Sequence, residues 1–140
     1  MATYATGYST ASNVFQPYIE GLVYSREVTF TVATALSADD VIEMIPVYAG
    51  EQVVGVDLIT EDLDTNGSPT IVLDVGDGGD SDRYIDGATV GQAGGAVSQT
   101  VPTAYTYTAT DTIDVTAQVG AATGATSVDI TLRVLFRKAS

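Results

Sequence analysis

The chain contains no cysteine and no histidine. No disulfide framework and no thiolate metal site can form. The commonest general base, the commonest zinc ligand and the usual pH switch are also missing. Ser-His-Asp and Cys-His catalysis are thereby excluded. There is no tryptophan to serve as a platform for a sugar ring. Carboxylates abound, yet nothing in their spacing selects a pair for glycoside hydrolysis. A Ser-Lys pair would have to use Lys138, close to the end of the sequence, a poor place for a buried base. Positive charge is scarce as well: 5 Lys and Arg stand against 18 Asp and Glu, a net charge of −13. Such a surface repels phosphate backbones and anionic bilayers, so neither nucleic acid nor a membrane is an expected partner. No apolar run is long enough to span a bilayer. No charged segment with a following apolar core succeeds Met1, so the sequence predicts synthesis in the cytoplasm without a signal peptide. No enzyme activity and no cofactor are expected.

What the sequence does contain is a series of short strand-like segments. A chain of 140 residues suits a single domain that can bury a core without staples. Val28, Phe30, Val32 and Leu36 alternate with small or polar residues, and Val54, Val56 and Leu58 do the same. Asp40 to Tyr48 is less regular and fits a strand or a helical turn. Pro46 would interrupt a longer helix, which favours the strand. Ile71, Leu73 and Val75 form another alternating run, after the turn Thr65-Asn66-Gly67-Ser68-Pro69. Arg83-Tyr84-Ile85 predicts a short strand, and residues 87–100, poor in bulky side chains, predict a loop. Val101 to Ala109 places Tyr105 and Tyr107 on one face. Ile113, Val115 and Ala117 alternate next, and Gly120-Ala121-Ala122-Thr123-Gly124 predicts a hairpin turn. The last segment is the clearest, with Val128, Ile130, Leu132, Val134 and Phe136 on one face. No sustained helical period occurs. The expected fold is all-β, a jelly roll or related antiparallel β-sandwich, occupying residues 25–140 as one domain.

Residues 1–24 stand apart as an extended N-terminal arm. They carry Tyr4, Tyr8, Phe15, Tyr18 and Tyr24 and a single charge, Glu20. Disordered tails are rich in charge and poor in aromatics, so this composition points elsewhere. Tyrosine packs its ring while its hydroxyl stays wet, which suits a segment lying along a partner surface. The alternative is an N-terminal strand packed on its own domain.

Leu73 to Gly87 is the most acidic stretch, with five aspartates, four glycines and one arginine. Glycines allow tight turns, and aspartates bond neighbouring amides. Asp74, Asp77, Asp80 and Asp82 are the only candidates for a hard cation such as calcium. The spacing lacks the EF-hand pattern. The expectation is therefore structural, with Arg83 paired to one aspartate and no bound metal. Near the other end of the domain, Arg133 and Arg137 share the wet face of the final strand. They are expected to pair with acids of a neighbouring strand, or else with an acidic partner subunit.

Three segments resemble the decoration, or cement, proteins on the outside of tailed-phage heads. These are Asp39-Asp40-Val41-Ile42…Pro46…Gly50-Glu51-Gln52-Val53-Val54, then Val75-Gly76-Asp77…Asp80-Ser81-Asp82-Arg83-Tyr84-Ile85, and the Thr- and Val-rich terminal hairpin ending near the C-terminus. The resemblance spans about residues 28–136. It implies a small β-sandwich virion protein, made in the host cytoplasm and usually a homotrimer. Such a protein clamps the major capsid protein from the outer capsid surface, with no cofactor and no catalysis. Two other classes remain open: a calcium-assisted carbohydrate- or receptor-binding module of a tail fibre, and a tail-tube or connector protein.

Overall fold

The computed structural model describes residues 22–139, which form eight strands and one 3-10 turn. The strands are β1 (Tyr24–Val32), β2 (Val41–Val47), β3 (Glu51–Thr60), β4 (Val72–Asp77), β5 (Ile85–Ala88), β6 (Gly95–Thr100), β7 (Asp111–Val119) and β8 (Val128–Lys138). They build two four-stranded antiparallel sheets. One has the order β1-β8-β3-β6 and the other β2-β7-β4-β5. Every connection between consecutive strands therefore crosses from one sheet to the other, except β4 to β5. This double Greek-key order is that of the jelly roll.

Alternation decides the layers. In β8, Ile130, Leu132, Val134 and Phe136 are fully buried, and Thr131, Arg133 and Leu135 between them are half-buried. Their partners in the facing sheet include Ile45, Val47, Leu73, Val75, Ile113 and Val115. Burying side chains of this size contributes roughly 1.5–3 kcal/mol each, which supplies the main driving force for the fold. The irregular pattern of β2 has a local cause. A bulge between Glu43 and Ile45 turns Met44 and Ile45 inward together. Pro46 is tolerated because β2 is an edge strand.

Four expectations need correction. Residues 87–100 are not all loop, because Gly95–Thr100 pairs with β3 as an edge strand. Backbone pairing holds it, and only Val97 among its side chains is even partly buried. Residues 101–109 form no strand, only an isolated bridge between Thr106 and Gln52. Residues 120–124 are not a hairpin turn, since β7 and β8 lie in different sheets. Tyr24, assigned to the arm, opens β1 and belongs to the sandwich. Tyr4, Tyr8, Phe15 and Tyr18 lie outside the described residues. Among the described residues, no helix is long and apolar enough to cross a membrane.

Candidate functional site

Strand directions sort the connections into two ends. One end holds the start of β1, the β2–β3 turn, the β4–β5 and β6–β7 loops, and the finish of β8. All five tyrosines among the described residues are there: Tyr24, Tyr48, Tyr84, Tyr105 and Tyr107. So are Arg26, Arg83, Arg137 and Lys138, four of the five basic residues of the chain. The opposite end carries no tyrosine and no basic residue among the described residues.

Two buried carboxylates organise the tyrosine end, one from each sheet. Glu51 begins β3 and faces the interlayer, 1% exposed. Arg26 donates to both its oxygens, over 2.9 Å to Oε1 and 2.7 Å to Oε2. The Tyr24 hydroxyl donates to Oε2 and the Tyr48 amide to Oε1. Burial alone would raise the pKa of Glu51, but Arg26, Tyr24 and the Tyr48 amide outweigh it and hold the carboxyl below its ordinary range. Burial and the same carboxylate push the Tyr24 phenol up to about 12. The Arg26 guanidinium lies 4.5 Å from the Phe136 ring centroid and 5.1 Å from that of Tyr48. It also donates to the Pro46 carbonyl in the facing sheet, which closes this end of the core.

Asp77 ends β4 and is the counterpart in the second sheet. Arg83 donates to its Oδ2 over 2.6 Å through Nε and to its Oδ1 through Nη2. The Tyr107 hydroxyl donates to Oδ2 over 2.7 Å, and the Tyr84 hydroxyl shares a hydrogen bond with that of Tyr107. The amides of Gly79 and Asp80 reach Oδ1. Burial works to raise the Asp77 pKa, but Arg83, Tyr107 and the Gly79 amide bring it below the ordinary range. Burial pushes the Tyr107 phenol far above its usual value, and its hydrogen-bonded neighbours Tyr84 and Asp77 add to this. Arg83 stacks on Tyr105 with its guanidinium carbon 3.8 Å from the ring centroid. The two clusters are joined through the main chain. The Tyr107 amide donates to the Glu51 carbonyl, and the Gly50 amide donates to the Tyr107 carbonyl.

The acidic loop is thus tied down by Arg83. It folds back over Gly76, where any side chain would collide with the Asp80 and Ser81 backbone. The four candidate ligands do not converge. Asp74 is buried and accepts the Gly87 amide, Asp77 is saturated by its own partners, and Asp80 and Asp82 are exposed. Proximity to Asp80 raises the Asp82 pKa. No group of three or more carboxylates able to hold a metal exists among the described residues. On the outer face of the first sheet, Arg133 sits between Glu27 at 2.9 Å and Asp57 at 3.2 Å, an intramolecular pairing as expected. Arg137 departs from the expectation of an acidic partner: among the described residues it donates to the Gln52 amide oxygen instead.

Two acids escaped the sequence reading. Asp64 lies at the opposite end, 1% exposed, in the β3–β4 connection. It accepts hydrogen bonds from five backbone amides, those of Asn66, Thr70, Ile71, Ala122 and Thr123. Burial opposes ionisation, but the Thr123, Thr70, Ala122 and Asn66 amides prevail and hold it well below the usual carboxylate range. Asp114 of β7 faces outward beneath the acidic loop. Burial, with help from the nearby charges of Glu43, Asp111 and Asp77 and against its bond from Thr112, raises its pKa to about 6.

No protein-family model matches the sequence, and no curated protein matches it. Solved structures do. A chain in the capsid of Ralstonia phage GP4 is 30% identical, covering 89% of this chain and 90% of that one, with a TM-score of 0.78. A chain in the capsid asymmetric unit of cyanophage Pam1 is 26% identical, covering 99% of each, also with a TM-score of 0.78. A chain in the acid-stable capsid of Helicobacter pylori bacteriophage KHP30 is 16% identical, covering 87% of this chain and 92% of that one, with a TM-score of 0.62. At that last identity the likeness concerns the fold alone.

Proposed function

Because the chain is a phage-capsid-related small β protein, and so a structural component of the virion, we propose that it is a decoration, or cement, protein on the outer surface of the head. It binds the major capsid protein there, as a homotrimer, and stabilises the shell. The role calls for no catalysis and no cofactor.

The observation that carries this proposal is the one-ended character of the sandwich. On a chain of net charge −13, four of the five basic residues sit at the end where every described tyrosine lies. The aromatic segment 1–21 departs from the same end, at the root of β1. Tyrosine and arginine are among the side chains enriched at protein interfaces. The opposite end, which carries no tyrosine and no basic residue among the described residues, would face solvent, where repulsion between like charges keeps particles dispersed. A ligand that binds the assembled lattice and not separated subunits stabilises the lattice by mass action. Many copies make weak contacts count.

The test compares shells with and without the protein. Shells carrying it are expected to withstand heat better, and the protein on intact virions is expected to be open to a surface-labelling reagent. Equal heat resistance, or protein labelled only after the head is broken, would overturn the proposal. Recovery of the protein with tails rather than heads would favour a fibre or tube component.

A further inference from the structure

β1 is an edge strand with an incompletely covered inner face. Its inward-pointing residues alternate as Tyr24, Arg26, Val28, Phe30 and Val32, in register with the buried face of β8. Val32 is buried, but Val28 is 36% and Phe30 38% exposed. The facing sheet ends at β2. Among the described residues, the far side of β1 has no strand beside it, so its free backbone groups are a template for a further strand. Among the described residues, no unpaired charge guards this edge. Arg26 is held by Glu51, and Glu27 by Arg133.

We propose that this edge receives the N-terminal segment, residues 1–21, of a second copy of the chain, so that copies are linked by exchanged arms. The segment has one charged side chain, Glu20, and four aromatic ones, Tyr4, Tyr8, Phe15 and Tyr18. Copies that each carry a net charge of −13 repel one another, and a nearly uncharged aromatic segment meeting an edge whose charges are already paired avoids that repulsion. Fully extended, the segment reaches roughly 70 Å at about 3.3 Å per residue. That exceeds the roughly 30 Å length of a nine-residue strand, so a neighbouring molecule is within range. The described entry into β1 accords with an arm that leaves for a second copy. Leu22 and Val23 lie in neither a turn nor a bend, and Tyr24 is fixed by Glu51 and by stacking on Phe136. The two described residues ahead of β1 therefore make no tight reversal onto its edge.

The inference rests on the view of residues 1–21 as a partner-seeking arm and deepens it. Its test is made without shells, so its failure leaves the shell-binding result separate. Light scattering of the full chain should show association that rises with concentration. Phe30→Asp and the double variant Phe15→Asp/Tyr18→Asp should each reduce it at least tenfold while circular dichroism stays that of the parent. Association unchanged in either variant, or a parent that stays monomeric at high concentration, would overturn the proposal. The absence of cysteine permits a direct check. Full-length Phe15→Cys and Val28→Cys chains, mixed and oxidised, should give a disulfide-linked heterodimer. No heterodimer, or an internally closed monomer from the chain bearing both substitutions, would also overturn it.

Discussion

Arg26 of β1 grips Glu51 of β3 with two hydrogen bonds, and its guanidinium lies over the Phe136 ring of the strand between them. The pair spans three strands of one sheet, and the bond to the Pro46 carbonyl reaches the other. A buried carboxylate that loses its cation keeps its desolvation cost and has nothing to offset it. Arg26→Ala is therefore expected to destabilise the domain by about 3 kcal/mol. Replacing both partners, as Arg26→Met with Glu51→Leu, should restore much of the loss. Urea titrations of the parent, the single and the double variants measure this directly. A single variant as stable as the parent would show that the pair does not hold this end closed.

The aspartates of the acidic loop should separate sharply. Asp77→Asn leaves Arg83 without its carboxylate and disturbs the Tyr107 hydroxyl, a loss of about 2 kcal/mol for charge-assisted bonds. Asp80→Asn and Asp82→Asn concern exposed groups and should leave the stability close to that of the parent. Calcium should not shift the melting temperature of the parent. A marked rise with calcium, lost in the Asp80→Asn/Asp82→Asn double variant, would mean that the loop does hold a cation.

Stability should pass through a maximum on the acid side of neutrality. The Asp114 pKa is raised to about 6, so the folded state takes up a proton before the unfolded one, and stability rises as the pH falls from about 6 towards 4. Asp64, Glu51 and Asp77 are shifted the other way. Their contribution is complete above the ordinary carboxylate pKa near 4 and is lost as the pH drops through their lower folded values. Asp114→Asn should raise stability at pH 7 by roughly 1 kcal/mol, after allowing for solvent screening, and should remove the rise between pH 7 and 5. Melting temperatures from pH 3 to 8 check the curve. A steady decline from pH 7 downward would refute the sign assigned to Asp114.

Thr60 closes β3 with its hydroxyl buried and, among the described residues, without a hydrogen-bond partner. Thr60→Val keeps the shape and removes the unsatisfied oxygen, so a gain of about 1 kcal/mol is expected. Denaturant midpoints of the two proteins decide it, and a loss of similar size would point to an unseen partner for the hydroxyl.

The sequence showed the layers better than the connections. In β8, five apolar residues at every second position can only be one face of a strand, and the structure buries that face. The pairing of Arg83 with an aspartate was legible because the arginine stands alone among acids. β6 was not legible, since an edge strand of Gly, Ala, Ser, Gln and Thr is held by its backbone and leaves no mark in hydropathy. The Gly-rich segment 120–124 has hairpin composition, but turn residues do not reveal whether the next strand joins the same sheet. Asp64 escaped for a related reason. Its partners Ala122 and Thr123 lie 58 and 59 residues away, and no local pattern reports such a meeting. The Asp62-x-Asp64-x-Asn66 spacing ahead of Gly67 was the one available hint.

The two ways out of the sandwich, at Leu22 and at Ala139, lie at the same end, the one rich in tyrosine and arginine. A peptide or reporter fused after Ala139 would therefore emerge beside the root of the arm and compete with whatever that end touches. Genetic display on particles would be better served by the opposite end. There the exposed tip Asn66-Gly67-Ser68 projects from a loop whose base is locked by Asp64, and an insert could be carried outward without disturbing attachment.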